Sequence, residues 1–102
     1  MSTKPRALSA TEVDAKLSSL NKSWFLRAGK LCLDLEFKDF KSALVFMNAV
    51  GEQAEEMQHH PEWKNIYNKV WIELITHDAG PAPGALSDLD FTLAHHIETI
   101  LG

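Results

Sequence analysis

The sequence is short of the features that mark several protein classes. It holds one cysteine, Cys32, so no intramolecular disulfide can form and the redox compartment is left unconstrained. None of its 10 Lys and Arg residues adjoins another, and its formal charge is −4. A nucleic-acid surface needs clustered basic side chains to meet phosphates, so no direct nucleic-acid partner is expected. No apolar run approaches the roughly 20 residues that span a bilayer. Met1–Ala7 lacks the apolar segment of a signal peptide. The expectation is a cytoplasmic protein with no membrane partner. Internal repeats and low-complexity segments are absent as well.

What is there is 102 residues, 45% of them hydrophobic, the size and composition of one globular domain with one core. Residues 1–7 read as a flexible tail and 8–102 as a single domain. Ser9-Ala10-Thr11-Glu12 has the form of a capping box, with Leu8 and Val13 at the positions of a hydrophobic staple. It predicts a helix from about Ser9 to Ser18 that buries Val13 and Leu17. Trp24 to Ala28 reads as a strand, Gly29-Lys30 as a tight turn, and Leu31 to Phe37 as a second strand with period-two alternation. Asp39 is placed to cap a long helix over Phe40–Met57, whose apolar surface is wider than one stripe. The surplus is available to another subunit.

Glu62–Tyr67 and Val70–His77 read as a second hairpin, turning near Asn68-Lys69. A loop over Asp78–Ala85 follows, with two prolines and two glycines. Ser87 then caps a final helix to about Leu101, with Leu86, Leu89, Leu93, Ile97 and Ile100 as its apolar stripe. The order is helix, two strands, helix, two strands, helix. It predicts an α+β two-layer fold, a four-stranded antiparallel sheet with three helices on one face, its other face open and its edges free to pair between subunits.

His59-His60-Pro61, with His77 further on, is the set of residues that packing alone does not call for. Imidazoles titrate near neutral pH, so one can donate a proton to a leaving group while another removes a proton nearby. The proline stiffens the chain and biases His60 toward an extended conformation. Glu55, four residues before His59, is expected on the same helix face and in reach of it. Trp63 and Tyr67 offer flat faces that could stack on a planar heterocycle. Asp90 borders the buried stripe of the last helix, and as the acid of a Ser87-x-x-Asp90 capping box it also has a structural use. Zinc is the competing chemistry for three histidines. Adjacent histidine side chains diverge, and the two-on-a-helix spacing is missing, so no metal site is expected. His95 and His96 read as solvated surface and Cys32 as an inert thiol.

Glu55, His59-His60-Pro61, Tyr67, His77 and Asp90 together resemble the signature of the pterin-4a-carbinolamine dehydratase family. The surroundings are similar too: Glu62-Trp63, Tyr67-Asn68-Lys69-Val70, Thr76-His77, Leu86-Ser87 and Leu93-Ala94. The likeness runs from about Leu8 to the end. It implies dehydration of 4a-hydroxytetrahydropterin to the quinonoid dihydropterin. His59 and His77 would be the acid/base groups, and His60 would bind the pterin and could assist as base. Glu55 and Asp90 would orient imidazoles and Trp63 would wall the pocket. No metal or organic cofactor is implied. Implied partners are a second or further copies of the chain, as homodimer or homotetramer, and a functional link to an aromatic amino-acid hydroxylase. The alternative within the same family is a non-catalytic binding module, a dimerisation cofactor or assembly factor. Two departures stand out: Leu89 occupies a position where many members carry Arg, and the Asp78–Ala85 loop is longer and richer in proline.

Overall fold

A computed structural model describes residues 4–102. The elements follow in the order α1 (Ala10–Ser18), β1 (Phe25–Arg27), β2 (Lys30–Glu36), α2 (Phe40–Met57), β3 (Glu62–Ile66), β4 (Lys69–Leu74) and α3 (Asp88–Leu101). The strands form one antiparallel sheet in the order β1-β2-β4-β3, so the two hairpins meet through the β2–β4 pairing. The expected α+β architecture is the observed one.

Local chemistry sets the helix ends. Ser9 and Ser87 each close a full capping box, with Glu12 and Asp90 as the returning acids. Asp39 accepts from the Ser42 N–H and starts α2. That hydrogen bond from the Ser42 backbone holds the Asp39 carboxyl below its ordinary value.

Both hairpin turns fall one residue earlier than predicted. Ala28-Gly29 links β1 to β2, with φ of 53° and 76°, and Arg27 pairs with Lys30. Two left-handed residues in a two-residue loop match the twist of the flanking strands. Tyr67-Asn68 links β3 to β4, and Asn68 is held by a 2.7 Å bond from its amide to the Phe37 carbonyl.

The core lies between the sheet and α2 with α3. Leu31, Leu33, Val70, Ile72 and Leu74 from the sheet meet Ala43, Phe46, Val50 and Ala54 of α2 and Phe91, Leu93, Ala94 and Ile97 of α3. Each large apolar side chain sealed there contributes roughly 1.5–3 kcal/mol. α1 lies at the margin, since Val13 and Leu17 are half-buried against this cluster rather than inside it. Of the expected tail, residues 1–3 lie outside the described residues. Arg6 forks onto the Glu12 carboxylate at 2.9 and 2.8 Å, so the chain is tied down before α1 begins.

Among the described residues, the opposite sheet face carries no helix and is charged. Lys30 bridges Glu62 and Glu73 at 2.8 and 3.2 Å, Arg27 reaches Glu73 at 3.1 Å, and Lys64 lies over the Trp71 ring. Cys32 is sealed under this layer, and burial raises its thiol pKa, which agrees with an inert role.

Candidate active site

The end of α2 explains why two adjacent histidines point different ways. Gln58 is left-handed, at φ 54° and ψ 40°. The Gln58 N–H bonds to the Glu55 carbonyl at 3.1 Å and the His59 N–H to the Ala54 carbonyl at 3.0 Å. This is the six-to-one and five-to-two pattern that stops a helix and turns the chain. The turn sends His59 inward, where it is 8% exposed. His60 goes outward, and Pro61 leads into β3.

His59 Nε2 lies 2.7 Å from Asp90 Oδ1, and Asp90 is completely buried. The other carboxylate oxygen, Oδ2, accepts from the Thr76 hydroxyl at 2.7 Å and from the Ser87 N–H at 2.9 Å. Asp90 therefore serves two ends at once: it closes the capping box of α3 and holds an imidazole across the molecule. The two readings of Asp90 made from the sequence are compatible in one side chain.

Glu55 does not meet His59. Its Oε1 accepts from His60 Nε2 at 2.8 Å instead. The expected four-residue spacing fails because helical geometry ends at Met57, and the left-handed Gln58 swings His60 back over the last turn. The His60 bond is the main cause that holds the Glu55 carboxyl below its ordinary value, with Gln58 adding to it. His77 follows β4, and its Nδ1–H donates to the Pro83 carbonyl at 3.2 Å. That bond leaves Nε2 as the His77 nitrogen able to face a ligand.

Gln58, His59, His60, Ile75, Thr76, His77, Asp78, Leu89 and Pro5 line one cavity of about 280 Å³. The structure thus brings the three sequence-selected histidines to a single wall. Asp90 sits behind that wall and Glu55 beside it. Pro61 shapes the chain without lining the cavity.

Trp63 is a correction. It pairs with Ile72 on the core side of the sheet and borders a different depression, with Arg27, Glu62, Lys64, Trp71 and Glu73. Strand alternation places it on the core side, outside the lining of the histidine cavity. Tyr67 is also remote, exposed at the β3–β4 turn. His95 is exposed, with Ser19 Oγ 3.3 Å from its Nε2, while His96 is half-buried rather than fully solvated.

Sequence reasoning gave no role to Thr76, Gln58 or Ile75. A threonine beside His77, and a Ser-x-x-Asp pair whose acid borders an apolar stripe, were the available signals for the buried network. Among the described residues, no group of three or more His, Cys, Asp or Glu side chains is arranged to hold a metal ion. No helix among them is long and apolar enough to cross a membrane.

Comparison with known proteins points one way. A family model described as Pterin 4 alpha carbinolamine dehydratase matches residues 6–100. A protein of Synechococcus sp. (strain WH7803), named "Putative pterin-4-alpha-carbinolamine dehydratase", is 49% identical over 84 residues, covering 82% of this chain and 86% of the relative. A protein of the same name from Acidobacterium capsulatum is 42% identical over 94 residues, covering 92% of this chain and 97% of the relative. A crystal structure described as a transcriptional coactivator/pterin dehydratase from Brucella melitensis superposes with a TM-score of 0.85 at 32% identity. It covers 95% of this chain and 100% of its own.

Proposed function

The chain belongs to the pterin 4 alpha carbinolamine dehydratase family, and we propose that it is itself a working dehydratase. Its substrate is 4a-hydroxytetrahydropterin, and its products are the quinonoid dihydropterin and water. The C4a–O bond breaks, the N5 proton leaves to a base, and the departing hydroxyl takes a proton from an acid. The electron pair of the N5–H bond becomes part of the new C4a–N5 double bond. One observation carries this reading: three imidazoles share one cavity of about 280 Å³, near the lower end for small-ligand sites.

Each ring has its second nitrogen occupied by the protein, which fixes the atom left for the ligand. His59 is backed by Asp90, His60 by Glu55 and His77 by the Pro83 carbonyl. His59 and His77 serve as the acid/base pair, while His60, which is exposed to water, binds the pterin. Trp63 has no part, since it lies off the cavity. The reaction needs no metal and no organic cofactor. The protein works in the cytoplasm as a homo-oligomer and serves a hydroxylase that makes the carbinolamine.

A second reading has an observation of its own. Phe40, Leu44 and Val45 on α2 are 44%, 41% and 62% exposed, an apolar surface of the kind that meets another chain. The Brucella melitensis structure is described as a coactivator as well as a dehydratase. A binding module of this fold would use α2 and leave the histidines idle.

Stopped-flow measurement of synthetic 4a-hydroxytetrahydropterin separates the two. The expected result is loss of substrate well above the uncatalysed rate, cut by roughly a hundredfold or more in His59→Ala and His77→Ala and unchanged in His95→Ala. An uncatalysed rate from folded protein removes the enzyme reading. Equal losses at all three positions remove the site assignment.

A further inference from the structure

Behind the histidine wall, four polar groups, Ser87, Thr76, Asp90 and His59, form a chain of direct hydrogen bonds. The Thr76 hydroxyl donates to Asp90 Oδ2 at 2.7 Å. A hydroxyl has one proton to give, so the 2.6 Å contact between Thr76 Oγ1 and Ser87 Oγ is donated by Ser87. Ser87 Oγ in turn accepts from the Leu89 N–H at 3.2 Å. The direction of donation therefore runs from Ser87 through Thr76 to Asp90. It ends on a carboxylate, which only accepts, and Oδ1 of that carboxylate meets His59. Nε2 of His59 must then be the donor.

The other His59 nitrogen, Nδ1, has no hydrogen-bond partner among the described residues, yet no side-chain polar atom among them is both sealed and unpartnered. Nδ1 therefore opens to the cavity that His59 lines.

We infer that Thr76 and Ser87 are positioning residues of the site: they fix the Asp90 carboxylate so that His59 keeps its proton on Nε2 and presents Nδ1 to the ligand. The atom that exchanges a proton with the substrate is thus named. Asp90 cannot rotate or turn its other oxygen to the ring, because Oδ2 is held by the Thr76 hydroxyl and the Ser87 N–H. Thr76 is also fixed independently of its side chain. Its backbone N–H and carbonyl pair with Ala85 at 3.0 and 3.1 Å, so removing the hydroxyl leaves its backbone in place. The consequence for turnover rests on the dehydratase reading, whereas the proton's position on the ring does not.

The test uses protein labelled with nitrogen-15 in histidine and long-range proton–nitrogen correlation, which reads which ring nitrogen carries the proton. Wild-type His59, in its neutral form, is expected to be protonated on Nε2 alone. Thr76→Val, which keeps the shape and loses the hydroxyl, is expected to show a mixture of the two tautomers. Its dehydration rate is expected to fall roughly tenfold or more, as when an orienting partner is lost. Thr76→Ser restores the donor and is expected to keep both the wild-type tautomer and the rate within about threefold of wild type. A wild-type His59 protonated on Nδ1 overturns the inference without any variant. So does a Thr76→Val protein whose tautomer and rate match wild type. An inactive wild-type protein with His59 protonated on Nε2, lost in Thr76→Val, upholds this inference and defeats the proposed function alone.

Discussion

The two histidine–carboxylate contacts differ chiefly in water. His60 and Glu55 have side chains 58% and 72% exposed, while those of His59 and Asp90 are 9% and 0% exposed. Exposed pairs are screened and contribute little, but a buried carboxylate stripped of a partner is left at full desolvation cost. The exposed pair is still readable by titration. Glu55 is held below its ordinary value by His60 first. With a lowered folded-state pKa, the contact's contribution is present above the ordinary carboxylate pKa and fades as pH falls through the lower folded value. Carbon-13 titration of the Glu55 carboxyl should give a midpoint below that of a free glutamate, moving upward in His60→Ala. An unchanged midpoint in that variant would show that the contact does not form in solution. The wrong partner for Glu55 came from extending helical spacing past Met57; nothing in the sequence marks Gln58, a residue without strong left-handed preference, as the place where the helix turns. Asp90 was visible as a residue at the edge of a buried stripe. Its second duty, across 31 residues to His59, is tertiary and has no local sign.

At the scale of elements, the loop between β4 and α3 shapes the cavity rim. Gly84 is at φ +123°, and a Cβ there would sit 2.6 Å from the Thr76 carbonyl and 2.8 Å from His77 Cα. The loop lies flush against the backbone that carries both the positioning threonine and the third histidine. Gly84→Ala should therefore destabilise by about 2 kcal/mol or more, a fall in Tm of roughly 8 °C or more for a chain of this length. Thermal unfolding checks it, and a Tm within about 2 °C of wild type would mean that the loop is not packed this way. Caps made the helices legible: Ser9, Asp39 and Ser87 mark their starts in the sequence as in the structure. Turns were less legible. Ala28 and Tyr67 take left-handed backbone although neither prefers it, because pairing of the flanking strands fixes the register and the turn accepts the residues it is given. Strand alternation likewise decides Trp63: the family resemblance implied a pocket wall, but its parity directs it to the core side.

For the whole molecule, the α-ββ-α-ββ-α order brings the C-terminal end of α2, the exit of β4 and the first turn of α3 to one side. The three histidines and the side chains that support them come from those three places, while the Pro83 carbonyl is added by the loop before α3 and Pro5 by the N-terminal segment. Residues 54–60, 75–78 and 87–90 are distant in the sequence, and sheet order β1-β2-β4-β3 is what joins them. The opposite sheet face, with its Lys30 and Arg27 ion pairs, takes no part in the site. The account comes down to three imidazoles acting on one ligand. The most direct measurement follows the ring signals of all five histidines while an unreactive dihydropterin is titrated into the wild-type protein. The account predicts that His59, His60 and His77 shift together along one saturation curve while His95 and His96 stay still. A pterin that moves none of the first three, or that moves His95 and His96 in their place, would contradict it.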